Sequence, residues 1–425
     1  MCIRDRYSTR EMILDILQNQ FILGRVSSYD GTAMEGVIIK AEGEEIVENM
    51  SDEIGEYSLD AYTHSSYLLS ASKIDDLKLN YTTTTVDIVM VKRHMLQIDE
   101  FKSPYQSIAA DVNGSNTITA IDLAQMRDIV LGKTQHFESG LDWLFIPASI
   151  DLSSDPFAYQ TSLDVVLDED DINLDFKGVR IGDLNNSWKL FNNSRKSSGN
   201  IEINLEEVKM EDQFIEIPVV VKDFNEISGY QFSINWDASQ LEYHDIMEPA
   251  LEGHFNEIFA NEGVITTMWA NGSGQSNKLD NGATLFVLRF IALDENAKTT
   301  VEVTSSITEA IAFDSQLNAL AIESSSAQVN LEELRNGRLE LLQNVPNPFE
   351  YDTEIVFKVP KSGLVRLSII NLLGETIYVH EQDYSPGIHK INWNKHQSSR
   401  SIQPGVYLYR LESNGEDIVR KMLIK

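Results

Sequence analysis

Ser228-Gly229-Tyr230-Gln231-Phe232-Ser233-Ile234-Asn235-Trp236-Asp237 places a large apolar residue at every second position, with polar residues between. A period of two is that of a β-strand whose two faces meet different surroundings. The pattern recurs at Ile215, Ile217 and Val219, and at Leu285 and Val287 with the following Phe290. Gly229, Asn261-Glu262-Gly263 and Asn281-Gly282 supply the breaks expected of turns. Residues 198–331 therefore read as a β-sandwich.

The rest of the chain is also strand-rich. Phe21 to Val26 and Val37 to Lys40 are short apolar runs separated by the Asp30-Gly31 turn, and Asp52 to Tyr57 forms another turn leading into a strand. This predicts a small sandwich over 21–74. The last module, 337–425, carries strand patterns at 354–359, 363–371, 376–381, 387–393, 405–413 and 417–425. The fold class is mainly β: three β-sandwich (Ig-like) modules, with a small helical loop pair at 75–197 between the first and the second. Residues 1–20 read as the remnant of an upstream region, with no apolar run fit for a signal peptide.

The chain has 425 residues, 66 Asp+Glu against 34 Lys+Arg, and a formal charge of −32. Such a surface argues against nucleic acid and anionic membrane, and favours hard cations bound through oxygen. Residues 331–425 hold 12 acids and 12 bases, so the acidic excess lies entirely in the body. That contrast points to a tail with a separate task. The single cysteine, Cys2, leaves no internal disulfide and no thiolate metal site. No apolar run is long enough to predict a transmembrane segment.

Residues 76–96 and 111–131 repeat at an offset of 35. Asp76, Thr82, Thr84, Asp87 and Leu96 recur as Asp111, Thr117, Thr119, Asp122 and Leu131, while Ile88, Val91 and Lys92 become Leu123, Met126 and Arg127. Each copy is a polar loop running into an amphipathic helix. In the second copy Asp111, Asn113 and Ser115 stand at loop positions 1, 3 and 5, the Thr117 carbonyl at 7 and Asp122 at 12. Ca²⁺ suits this set because it takes six to eight oxygens in flexible geometry. Thr119 and Asp122 also form a helix capping box, which is compatible with the metal reading. The first copy offers Asp76, Asn80, Thr82 and Asp87 as a weaker calcium set, because Lys78 puts an ammonium at position 3. There the capping box alone accounts for Thr84 and Asp87.

Several of these patterns resemble known families. The G-R-V, D-G, E-G-V and G-E-Y-S-L wording of 21–74 resembles the carboxypeptidase regulatory-like module, a spacer without catalytic residues. The loop–helix pair resembles dockerin, in the variant of secreted Bacteroidetes-type proteins. Ile181-Gly182-Asp183-Leu184-Asn185-Asn186-Ser187 echoes that variant's ending, and is read as half a calcium loop because Ser194 stands at position 12. The stretch 134–180 is longer than a compact dockerin needs, and Asp168-Glu169-Asp170-Asp171 reads as a solvated loop. The 198–331 sandwich resembles cohesin, the module that receives dockerins and also occurs in carbohydrate-binding relatives. Tyr230, Trp236 and Trp269 would be a sugar-stacking platform or core residues; the parity that Tyr230 and Trp236 share with Phe232 and Ile234 favours the core. Finally, Pro346-Asn347-Pro348-Phe349, Asn371-Leu372-Leu373-Gly374, Gly405-Val406-Tyr407 and Lys421-Met422-Leu423-Ile424-Lys425 resemble the type A C-terminal sorting domain of the type IX secretion system. That resemblance implies export through the outer membrane to the cell surface or medium, with the secretion machinery as a partner.

No nucleophile elbow, zinc-protease motif or phosphate loop is present, and the histidines are scattered. His94 reads as a solvent-side helix residue. The expectation is a non-catalytic C-terminal portion of an exported surface protein, whose partners are a cohesin- or dockerin-type protein or a polysaccharide. The alternative is the accessory tail of an extracellular polysaccharide-degrading enzyme whose catalytic domain lies upstream.

Overall fold

The computed structural model describes residues 19–62, 65–74, 78–168, 170–190, 197–206, 208–211, 213–273, 277–294, 296–336, 338–398 and 402–425. The first sandwich extends well beyond residue 74. One sheet runs in the order Glu56–Tyr62, Asn19–Ser28, Phe176–Arg180, Trp143–Pro147, and the facing sheet is Ile46–Met50, Ile38–Glu42, Ser65–Ser72, Ser162–Leu167. Three of these eight strands thus come from 143–180, within the stretch expected to be a dockerin insertion. The Trp143–Pro147 strand hides this role because it is buried throughout. Trp143 and Phe145 enter the sandwich core, while Leu144 and Ile146 enter the core of the helical module. A strand shared by two cores shows no apolar–polar alternation.

Four helices are inserted between the Ser65–Ser72 and Trp143–Pro147 strands of the first sandwich: α1 (Leu79–Thr82), α2 (Thr85–Met95), α3 (Pro104–Ala110) and α4 (Ala120–Val130). The two repeat copies deliver α2 and α4, each opened by a Thr–Asp capping box. Their apolar faces, Ile88, Val89, Val91, Met126, Ile129 and Val130, share one core with Val179, Ile181 and Leu184. Met268 and Ala270 of the larger sandwich close the same core.

In the larger sandwich the alternation of 230–236 is realised as expected. Tyr230, Phe232, Ile234 and Trp236 pack inward with Ile215, Ile217, Val219, Leu285 and Phe290. The polar parity is a surprise: Gln231 and Ser233 are buried too, as is Ser228 at the register shift before them. The Ile227–Asn235 strand is covered on both faces, because the helices lie on its outer one.

In the tail all six expected strands form: Asp352–Val359, Gly363–Asn371, Thr376–Tyr384, Gly387–Asn394, Gly405–Ser413 and Glu416–Ile424. Phe349 fills the core edge-on to Trp393, with ring centroids 5.8 Å apart.

Candidate functional site

The loop at 111–122 folds around its own carboxylates. Asp111 Oδ1 accepts from the Ser115 N–H at 2.9 Å and Asp111 Oδ2 from the Asn116 N–H at 2.7 Å. Asn113 Oδ1 accepts from the same Ser115 N–H, and the Ser115 hydroxyl donates to the Thr117 carbonyl at 3.1 Å. Asp122 closes the ring: one oxygen accepts from the Thr119 N–H and hydroxyl, the other from the Asn113 N–H at 3.3 Å. Gly114 and Asn116 hold φ of 70° and 60°, the left-handed bends that turn the donors inward. Asp111, Asn113, Ser115, Thr117 and Asp122 are therefore drawn into one loop by a chain path of twelve residues. Hard oxygen donors in this arrangement fit calcium better than any softer ion.

The first copy behaves differently. Asp76 lies outside the described residues. Asn80 sits in α1 and donates its side-chain amide to the Ile307 carbonyl at 2.6 Å, and the Thr82 hydroxyl donates to Leu79 within the same turn. Asp87 is fully buried at the start of α2, where it accepts from the Thr84 N–H and, across 97 residues of sequence, from the Leu184 N–H at 2.8 Å. The turn of α1 thus carries Asn80 toward the larger sandwich, and a later segment reaches Asp87 instead.

A second feature joins the modules. Helix α2 lies on the Ile227–Asn235 and Val264–Ala270 strands. Gln231 Oε1 caps its first turn, accepting from the Thr85 N–H at 2.6 Å and the Thr85 hydroxyl at 2.8 Å. Lys92 Nζ donates to the Ala270 carbonyl, and Arg93, almost wholly buried, donates to Ser228 Oγ and the Ser315 carbonyl. The end of α4 is held as well: Asn256 and Thr266 both donate to the Leu131 carbonyl, and Thr308 to that of Val130. Val86 fills an apolar notch made by Ile311 and Phe313. These side chains bond the terminal carbonyls of α4 and the first N–H of α2, groups that a helix cannot satisfy itself. None of them was marked by a sequence motif. Their one signal is an inner strand whose alternate residues, Gly229, Gln231 and Ser233, are small or amide-bearing rather than charged, with Ser228 added at a register shift.

Tyr230, Trp236 and Trp269 are buried in the sandwich, and the Trp236 indole donates to the Leu241 carbonyl. His94 does not project freely into solvent: it stacks on Phe101 with centroids 3.9 Å apart.

Comparison with known families agrees with this division. Residues 74–131 match the dockerin type I domain, 199–330 the cohesin domain, and 345–425 the secretion system C-terminal sorting domain. The chain carries a dockerin, a cohesin and a sorting domain. No match to a curated protein was found. Among solved structures, the chain is similar to the sixth cohesin of Acetivibrio cellulolyticus scaffoldin B, in complex with a mutant Cel5 dockerin. Identity is 16%, with 31% of this chain and 99% of that one covered and a TM-score of 0.27. The seventh ScaB type I cohesin of Pseudobacteroides cellulosolvens gives 14% identity, coverage of 31% and 91%, and a TM-score of 0.27.

The helix pair seated on the cohesin sandwich is thus the dockerin of the same chain. The three domains are of non-catalytic types, and the sorting domain marks the protein as exported, to the cell surface or medium. No helix among the described residues is long and apolar enough to cross a membrane.

Proposed function

We propose that this protein is a non-catalytic exported surface component whose dockerin is engaged in cis by its own cohesin, with calcium at Asp111, Asn113, Ser115, Thr117 and Asp122 fixing the start of α4. The observation that carries this reading is the set of hydrogen bonds tying both ends of the dockerin to the cohesin sheet. With the face of the Ile227–Asn235 and Val264–Ala270 strands already covered, the cohesin serves as a structural partner for the dockerin rather than an open receptor. The burial of Tyr230, Trp236 and Trp269 supports a protein-facing over a sugar-facing role for this sandwich. The result is a stiff body joining first sandwich, dockerin and cohesin, displayed at the cell surface by a tail that the type IX machinery reads.

Calcium is expected to stabilise the whole chain, because the folded loop gathers oxygens that the unfolded chain leaves apart. At a hundredfold excess over its dissociation constant, one ion contributes about 2.7 kcal/mol. Asp111→Ala should remove that ion's share, since it deletes the carboxylate that organises Ser115 and Asn116. Urea unfolding with calcium and with chelator measures both quantities. Identical calcium gains in the wild type and Asp111→Ala would remove the metal from this loop. The measurement needs the full chain, since the dockerin core includes strands of the first sandwich.

A further inference from the structure

The first repeat copy lacks a credible opening to its loop, yet its closing half is intact. At the offset of 35, Thr82, Thr84 and Asp87 stand where Thr117, Thr119 and Asp122 stand in the second copy. The structure brings a different opening to them, from 183–187. Asp183 Oδ1 accepts from the Ser187 N–H at 2.9 Å, as Asp111 does from Ser115. Asn185 Oδ1 accepts from the same N–H at 3.0 Å, as Asn113 does. Asp183 Oδ2 accepts from the Trp188 N–H at 2.8 Å, as Asp111 does from Asn116. Asn186 takes φ of 57° where Gly114 takes 70°.

The match then crosses between segments. The Ser187 hydroxyl donates to the Thr82 carbonyl at 2.9 Å, just as Ser115 donates to Thr117 at 3.1 Å. Asp87 binds the Thr84 N–H and hydroxyl at 2.8 and 3.0 Å, the same distances that Asp122 keeps to Thr119.

We infer that Asp183, Asn185, Ser187, the Thr82 carbonyl and Asp87 form a second calcium site, one whose loop is split between two distant parts of the chain. Two further observations point to a cation there. Asp87 is wholly buried, and among the described residues no Lys, Arg or His forms an ion pair with it. The Thr83 hydroxyl is fully buried without a hydrogen-bond partner and faces Gly182, the residue that opens the split loop. Any Cβ at Gly182 would stand 2.4 Å from that oxygen, so the glycine is what lets 183–187 reach the dockerin. An ion held by both segments would lock the dockerin helix α2 to the end of the first sandwich.

The test is calorimetric titration of the chelator-treated full chain with calcium chloride. The wild type should take up two ions. Asp183→Asn and Asp111→Asn should each leave one, and the double variant none. Asp76→Ala should still bind two. Ser187→Ala, a milder change, should weaken one site at least about tenfold without unfolding the protein. An ion lost in Asp76→Ala but kept in Asp183→Asn would overturn the split loop in favour of a continuous one. A single wild-type ion, kept in Asp183→Asn and lost in Asp111→Asn, would overturn the inference and leave the 111–122 loop standing. A single ion with the opposite pattern would support the split site and refute the other loop.

Discussion

A chain ending at Arg420 should fold its body normally and remain in the periplasm. The five residues removed hold the edge of the last sheet. Glu416–Ile424 pairs with Gly405–Ser413 along its whole length, from Ser413↔Glu416 to Gly405↔Ile424. Met422 and Ile424 are buried, and each contributes about 1.5–3 kcal/mol by leaving water. The same residues anchor the start of the module: Phe349 donates to the Leu423 carbonyl, Lys425 donates to that of Phe349, and Leu423 donates to Asn347 Oδ1. Truncation therefore loosens both ends of the sorting domain and bares an unpaired strand edge. Residues 331–425 fused to a periplasmic reporter, in a host with the type IX system, should carry it to the surface, and the truncated fusion should not. Removal of the tail in the mature protein is expected in the linker before Leu339, where Asn336-Gly337 interrupts the strand pattern of the sequence. Equal surface display of the two fusions would defeat the assignment of the last strand as part of the signal.

The second large effect is expected at the dockerin–cohesin seam. A Cβ on Gly272 would stand 2.2 Å from Lys92 Cβ, and its other near neighbours are further atoms of the Lys92 side chain. Gly272→Leu is therefore a wedge under α2 that leaves the backbone of the sheet untouched. It should break the Lys92–Ala270 and Arg93–Ser228 hydrogen bonds and uncover Val86, Ile311 and Phe313. The cost should be about 1–3 kcal/mol, the usual range for forcing extra atoms into a filled interface. Urea unfolding reads that cost, and hydrogen exchange should show α2 and the Val264–Ala270 strand opening together. Unchanged stability with unchanged exchange would mean that the seam does not hold the helix.

How far the sequence foretold this arrangement depends on what each residue faces. The tail was legible strand by strand, because its sheets have one wet and one dry face and its turns carry glycine. So were the repeat and its capping boxes, since Thr84, Asp87, Thr119 and Asp122 act within one helical turn. The first sandwich was only half legible: Trp143 to Pro147 is buried on both sides and reads as a featureless apolar run. The docking face was illegible for the opposite reason. Gln231 and Ser233 look like the wet side of a strand, and only the helices lying on them make them interior. The 183–187 segment was recognised as half a loop, but local spacing offered Ser194 as its closing residue. The partner it meets, Asp87, lies nearly a hundred positions earlier, a distance that no periodicity reports.

The central claim, that dockerin and cohesin of one chain grip each other, has a direct covalent test. A Cβ on Gly132, at the end of α4, would lie 3.9 Å from Ile307 Cβ on the cohesin, within the range that disulfides span. Gly132 holds φ of 69°, so a cysteine there costs about 1–2 kcal/mol. With Cys2 replaced by serine, Gly132→Cys combined with Ile307→Cys should close a disulfide within single chains under mild oxidation at low protein concentration. The product should run as a monomer, and protease digestion followed by mass spectrometry should recover the 132–307 cross-link. Cysteines that stay reduced in the folded monomer, or that join only between chains, would contradict the account.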